Sequence, residues 1–148
     1  MGQGLSNCKV KVVLPNTLGY ERVAMACSAS FAQLYGLSPE RIEDLKTIVA
    51  EAATNAMQHG NGGREEALVT VKLKVTAGLL KIVVKDEGDG FSGVHKDPDI
   101  DRIIAEKDDP VGFGLFLMRQ LSDRIDFKRL HGGGHMVEML ISLKPQEH

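Results

Sequence analysis

The chain has 148 residues, 43% of them apolar and 26% charged, which is the balance of one soluble folded domain rather than of a disordered segment. Its net charge of −2, from 18 basic and 20 acidic residues, gives no bulk attraction to nucleic acid or anionic lipid. No apolar run approaches the ~18 residues of a membrane span, and no basic segment leads into a signal-peptide core. With no Trp, 5 Phe and 2 Tyr, the core must be aliphatic, and 16 Gly exceed the ordinary share.

The β-rich run Lys9 to Leu14 predicts a first strand that Pro15 ends. Asn16 or Thr17 is placed to cap a helix reaching about Tyr35, with Gly36 as its stop and Val23, Ala24, Ala26, Cys27, Phe31 and Leu34 as apolar positions. Cys27 reads as core, and with Cys8 it lacks C-x-x-C spacing, so both are expected as free thiols in a reducing cytoplasm. Ser38-Pro39 opens a second helix, with early acids at Glu40, Glu43 and Asp44, running to His59 before Gly60-Asn61-Gly62-Gly63. Leu68 to Val75 alternates, placing Val69, Val71, Leu73 and Val75 on one face, and Thr76-Ala77-Gly78 reverses it into a strand over Leu79 to Lys85. A polar loop follows, with a short helix after Asp97-Pro98. The pattern then gives a helix over Leu115 to Ser122 and two strands, Arg124 to Leu130 and His135 to Leu143, around three glycines. Strands joined by hairpins with helices gathered elsewhere predict an α+β two-layer sandwich: a mixed, mostly antiparallel sheet covered on one face by helices, in a single domain over 1–148.

Three constellations carry chemistry. Glu51, Asn55 and His59 stand four apart, so they form a polar file beside the apolar stripe Ile42, Leu45, Val49, Ala52, Ala53 and Ala56. Such a file suits a cavity rim as well as a solvated face, and no further His or Cys joins it to make a zinc site. Asp86-x-Gly88-x-Gly90 follows an apolar strand directly; it reads as a ligand loop or as a plain turn, and it lacks the ligand spacing of an EF-hand. Gly112-Phe113-Gly114-Leu115 leads into a helix whose free N–H groups would hold an anion, although no Lys-[Ser/Thr] follows to make a Walker A loop.

Taken in order, EAATNAMQHG, VVKDEGDGF and VGFGLFLMRQL resemble the ATP-binding fold shared by gyrase-type ATPases, Hsp90 chaperones, histidine kinases and MutL-like proteins. GLFLMRQLSD and the two N-terminal helices are most similar to the bacterial anti-sigma-factor serine kinases, over nearly the whole chain. The resemblance implies Glu51 as the catalytic base for a serine hydroxyl, Asn55 as the Mg²⁺ ligand and His59 as a neighbour of the phosphates. It implies Asp86 as the acceptor of the adenine amino group, with Gly88 and Gly90 allowing close approach of the base. Residues 91–111 would form a lid, and Val111, Gly112, Phe113, Gly114 and Leu115 would supply backbone N–H groups to phosphate. Arg22 matches a partner-docking position. The implied cofactors are ATP and Mg²⁺. The implied partners are a sigma factor and a small anti-anti-sigma (STAS-type) protein, with ADP as the alternative nucleotide, a homodimer as the assembly, and neither nucleic acid nor membrane bound directly.

This sequence departs from the family in two places. Pro110, Val111 and Phe113 stand where many relatives carry an Arg, and His135-Met136 where they often carry a Thr near the adenine. The missing Arg favours a second reading, a nucleotide-gated binding module that transfers little phosphate. The catalytic half of a histidine kinase is a third, although a chain of this length is not expected to carry a dimerisation helix pair with its phospho-acceptor His. A gyrase-like ATPase would need a transducer domain. His131-x-x-x-His135 reads as a turn rather than a metal pair.

Overall fold

The computed structural model describes residues 8–88 and 110–144. In chain order they form β1 (Lys9–Pro15), α1 (Glu21–Gln33), α2 (Pro39–Asn55) continuing into a π-helical turn (Ala56–Gly60), β2 (Leu68–Thr76), β3 (Leu79–Lys85), α3 (Pro110–Leu121), β4 (Arg124–Arg129) and β5 (His135–Ser142). The five strands make one sheet in the order β1-β2-β3-β5-β4, and every pairing is antiparallel. The helices lie on one face, so this is the expected α+β two-layer architecture. The predicted short helix after Asp97-Pro98, Gly90 and most of the predicted lid lie outside the described residues.

Alternation decides which face is covered. Val69, Val71, Leu73 and Val75 of β2, Leu80, Ile82 and Val84 of β3, and Val137, Met139 and Ile141 of β5 are all buried and form one continuous core. Against them α2 packs Ile42, Leu45, Ile48, Val49, Ala52 and Ala56, and α1 contributes Ala24, Phe31 and Ala32. The opposite face carries lysines directly across from one another, Lys9 from Lys74 and Lys11 from Lys72, and the Lys85 charge nearby lowers the Lys72 pKa. Glu138 on the same face joins Lys81 at 2.8 Å and Lys128 at 3.0 Å, and these partners hold its carboxyl below the usual range.

Three boundaries differ from the sequence reading, each for a physical reason. Asn16 and Thr17 do not cap α1; a turn intervenes in which Tyr20 N donates to Thr17 O, Gly19 takes φ +109° and the helix starts at Glu21. The Asn16 side chain is instead buried and committed to distant carbonyls. With α1 so placed, Val23, Ala26 and Leu34 of the expected apolar set are exposed. At the end of α2, Asn61 N bonds to Ala56 O at 2.7 Å, a five-residue spacing that widens the last turn. Finally, α3 starts at Pro110, where a proline is preferred in a first turn, five residues before the predicted Leu115.

Other local signals act as read. Ser38 Oγ accepts from Arg41 N at 3.2 Å and caps α2. Gly36 takes φ +78° while Leu37 N reaches back to Ala32 O, closing α1. Ala77 and Gly78 both take positive φ, as a two-residue hairpin turn requires.

Candidate nucleotide site

Between α2, α3 and the C-terminal strands lies a cavity of about 180 Å³ whose wall includes Ala52, Asn55, Val84, Asp86, Met118 and Val137. Its lining is dominated by apolar atoms with a few polar groups, the usual arrangement for a small-molecule site. Asn55, His59, Asp86 and Leu115 of the sequence-derived set all line it. So does His135, which opens β5 as the sequence predicts.

Asp86 stands in that wall, just beyond β3. Its backbone N–H donates to His135 O at 3.0 Å, and its Oδ1 accepts from Gly88 N at 2.8 Å and from His135 N at 3.0 Å. The His135 ring Nδ1 lies 3.4 Å from the same oxygen. Burial pushes the Asp86 carboxyl up; the two N–H donors and the His135 charge oppose that shift. Two close approaches hold the loop in place. A Cβ on Gly60, in the π-helical turn, would overlap Asp86 Oδ2. A Cβ on Gly88 would lie 2.6 Å from Gly134 N, so the glycine hairpin between β4 and β5 packs directly on the Asp86 loop.

Asn55 also lines the cavity, and Glu51, one turn earlier on α2, stands next to it without being among the lining residues. A Cβ on Gly114 of α3 would lie 2.5 Å from Glu51 Oε2 and 3.5 Å from Asn55 Nδ2, so the absence of a side chain there lets α3 cover both groups. Burial raises the Glu51 pKa above that of an ordinary carboxyl, which moves it toward the range of a general base. Asn55 Nδ2 is buried with no hydrogen-bond partner among the described residues. An orphaned buried amide in a cavity wall fits a ligand that completes it. As placed, the Nδ2 donor would suit an acceptor such as a phosphate oxygen; with the amide turned, its hard, neutral oxygen would instead suit Mg²⁺.

The remaining expected residues are placed less closely. His59 is exposed and lines the pocket from the π-helical turn that follows α2. Phe113 is 62% exposed, whereas Leu115 is buried. In a helix starting at Pro110 the amides of Gly114 and Leu115 bond to carbonyls four residues back, so Val111 and Gly112 carry the open N–H groups of the first turn. Arg22 is exposed on α1 and is not among the pocket residues. Sequence reasoning missed Gly60, Gly134, Asn16 and Asn61; all four read as punctuation, and only their long-range contacts reveal another use.

Known proteins resemble this chain in sequence and in fold. The serine-protein kinase RsbW of Bacillus pumilus is 32% identical, with the alignment covering 83% of this chain and 80% of the relative. The anti-sigma F factor of Clostridium novyi is 27% identical over 97% of this chain and 100% of its own length. Among solved structures, the SiaB-SiaC complex of Pseudomonas aeruginosa matches with a TM-score of 0.67 at 13% identity, covering 95% of this chain and 92% of the matched one. The RsbU and RsbW domains of Rv1364c from Mycobacterium tuberculosis match at 0.62 and 18% identity, covering 92% of this chain; our chain spans only about a third (32%) of that longer one. Both structural likenesses concern the fold. The model of the histidine kinase-like ATPase domain matches residues 14–141, so the chain belongs to the histidine kinase-like ATPase domain family, in the branch that includes the serine-protein kinase RsbW and the anti-sigma F factor.

Proposed function

We propose that this protein is an ATP-dependent anti-sigma factor and serine kinase: it holds a sigma factor and phosphorylates a serine of a small anti-anti-sigma antagonist, exchanging one partner for the other. The observation that carries this reading is one pocket lined by both Asp86 and Asn55, with Glu51 one turn before Asn55 on α2 and Gly114 packed closely against both α2 groups. Relatives named as serine-protein kinases and as an anti-sigma factor support the activity and the partner class.

In this reading Asp86 accepts a hydrogen from the adenine amine while the apolar walls enclose the base. Glu51 takes the proton of the incoming serine hydroxyl as that oxygen bonds to the γ-phosphorus and the bond to the ADP oxygen breaks. Its raised pKa keeps the carboxylate basic enough for this. Asn55 would hold Mg²⁺, which when bound neutralises triphosphate charge and orients it. Val111 and Gly112 offer amides to phosphate oxygens at the start of α3. Arg22, exposed on α1, belongs to the docking face for a protein partner. The protein acts in the cytoplasm as one ATPase unit over 1–148, as a homodimer; no helix among the described residues is long and apolar enough to cross a membrane.

The test measures Mg²⁺-ATP and Mg²⁺-ADP binding, then phosphate transfer to the antagonist. Asp86→Ala should weaken ATP by on the order of 100-fold, the value of a hydrogen bond to a charged acceptor. Asn55→Ala should abolish the Mg²⁺ dependence of binding, and Glu51→Ala should keep binding but lose transfer. Wild-type binding without transfer would instead favour the nucleotide-gated module, the reading that Pro110, Val111 and Phe113 suggest by replacing the family's Arg. No ATP binding at millimolar concentration would overturn both.

A further inference from the structure

Behind the Asp86 loop lies a pair of buried asparagines with every amide group in use. Asn16, immediately after β1, is 8% exposed, and Asn61, immediately after the π-helical turn, is fully buried. Asn16 Nδ2 donates to Met57 O at 3.3 Å and to Arg64 O at 2.8 Å. Asn16 Oδ1 accepts from Asn61 Nδ2 at 3.1 Å. Asn61 Nδ2 also donates to Leu68 O at 3.1 Å, and Asn61 Oδ1 accepts from Glu87 N at 2.8 Å. The Glu87 carboxylate closes the ring by accepting from Leu68 N at 2.8 Å. Both side chains are therefore fixed in one orientation, since turning either amide would set donor against donor or acceptor against acceptor.

We propose that Asn16 and Asn61 are positioning residues for base recognition: they hold the peptide of Glu87 so that the neighbouring Asp86 presents Oδ2 to the exocyclic amine of adenine. This rests on the reading of Asp86 as the adenine acceptor. Asp86 is held from two sides. His135 and Gly88 saturate Oδ1, while the amide of the next residue is held by Asn61. Oδ2 takes no hydrogen bond among the described residues and lies against Gly60, the residue preceding Asn61. The widened turn that sets Gly60 under the carboxylate thus also delivers Asn61 to Glu87, so one backbone irregularity places both supports. A plain helix end followed by a free loop would leave the Glu87 N–H without this partner and Asp86 without its backing. Neither asparagine is among the pocket residues, so their effect on the nucleotide passes through Asp86.

The test compares Kd for Mg²⁺-ATP with Kd for the Mg²⁺ complex of purine riboside triphosphate, which differs only in lacking the exocyclic amine. Wild type should bind ATP about tenfold or more tightly than the analogue, the difference reporting the Asp86 contact. Asn61→Ala and the similar-sized Asn61→Leu, both of which remove the oxygen that accepts from Glu87 N, should lower ATP affinity about tenfold and leave the analogue within about twofold, collapsing the ratio. Ser28→Ala removes a different buried polar group, one bonded within α1, and should leave the ratio at the wild-type value. A wild-type ratio in either folded Asn61 variant, or parallel weakening of both nucleotides, overturns the proposal. So does unfolding of both variants, which would make the pair purely structural. A wild type that binds the two nucleotides equally would overturn the Asp86 reading itself, a different failure from an Asn61 variant that still discriminates.

Discussion

Around Asp86 the polar groups of the site are tied to the protein, whereas around Glu51 and Asn55 they are not. Asp86 Oδ1 accepts two backbone N–H groups, and the residue after it is held by Asn61. Asn55 Nδ2, by contrast, is buried without a partner among the described residues, and Glu51 is a carboxyl that burial drives toward its neutral form. The Asp86 loop is preorganised, so on the proposed reading adenine recognition there would involve little rearrangement. Around Glu51 and Asn55 the groups are left unsatisfied, and on the proposed reading a charged ligand and its cation would complete them while the phosphoryl group moves.

That contrast can be broken most severely at Gly60. Gly60→Ala would drive a methyl group into Asp86 Oδ2, and relief requires turning a carboxylate that two N–H donors hold. ATP affinity should fall by roughly 10- to 100-fold, the range of one lost charged hydrogen bond, as read by calorimetric titration. Unchanged affinity would mean the Asp86 loop is adaptable after all. Gly114→Ala should act differently, because its methyl meets the end of a flexible Glu51 side chain that can swing aside. The expected result is a fall in kcat of about tenfold or more, from a misplaced base, with ATP affinity within about threefold. Equal losses in both quantities would show the two regions to be coupled.

The smallest effect separates stability from activity at Glu51. Its folded pKa is raised, so ionisation above that pKa disfavours the folded state. Glu51→Gln should therefore be slightly more stable than wild type at neutral pH, by less than about 1 kcal/mol because solvent still screens the carboxyl. The difference should vanish below the ordinary carboxylate range, where both side chains are neutral. The same upward shift places the acid limb of wild-type phosphate transfer above the usual Glu pKa. A variant that melts below wild type at neutral pH would contradict the sign.

Much of the sheet could be read directly from alternation, because a period of two leaves Val69, Val71, Leu73 and Val75 only one face to bury. The Ser38-Pro39 start of α2 was equally legible, since a cap and an N1 proline act within one turn. What escaped was set by distance along the chain. Asn16 has the chemistry of a helix cap, but carbonyls of Met57 and Arg64 claim its amide. Gly60 and Gly134 look like turn residues until Asp86 and its loop are packed on them. The site behaves similarly: Asp86 and the Glu51–Asn55 spacing could be found by motif, whereas the supports of Asp86 exist only once the sheet has closed.

The position of β1 has a consequence for how the molecule assembles. It lies at one edge of the sheet, and Pro15 meets Leu68 only after the chain has travelled through α1, α2 and the widened turn. The β2–β3 hairpin closes through two residues, but β1 must enclose residues 16–67 before its first bond forms, and the entropy of that closure is met only by contacts made afterwards. The Asn16 hydrogen bonds become available in that same late step. The β1–β2 pairing and that of β3 with β5, which encloses residues 86–135, thus both form after the β2–β3 hairpin, and the edge strand β1 is set to open early, its amides exchanging with solvent ahead of those in β2 and β3.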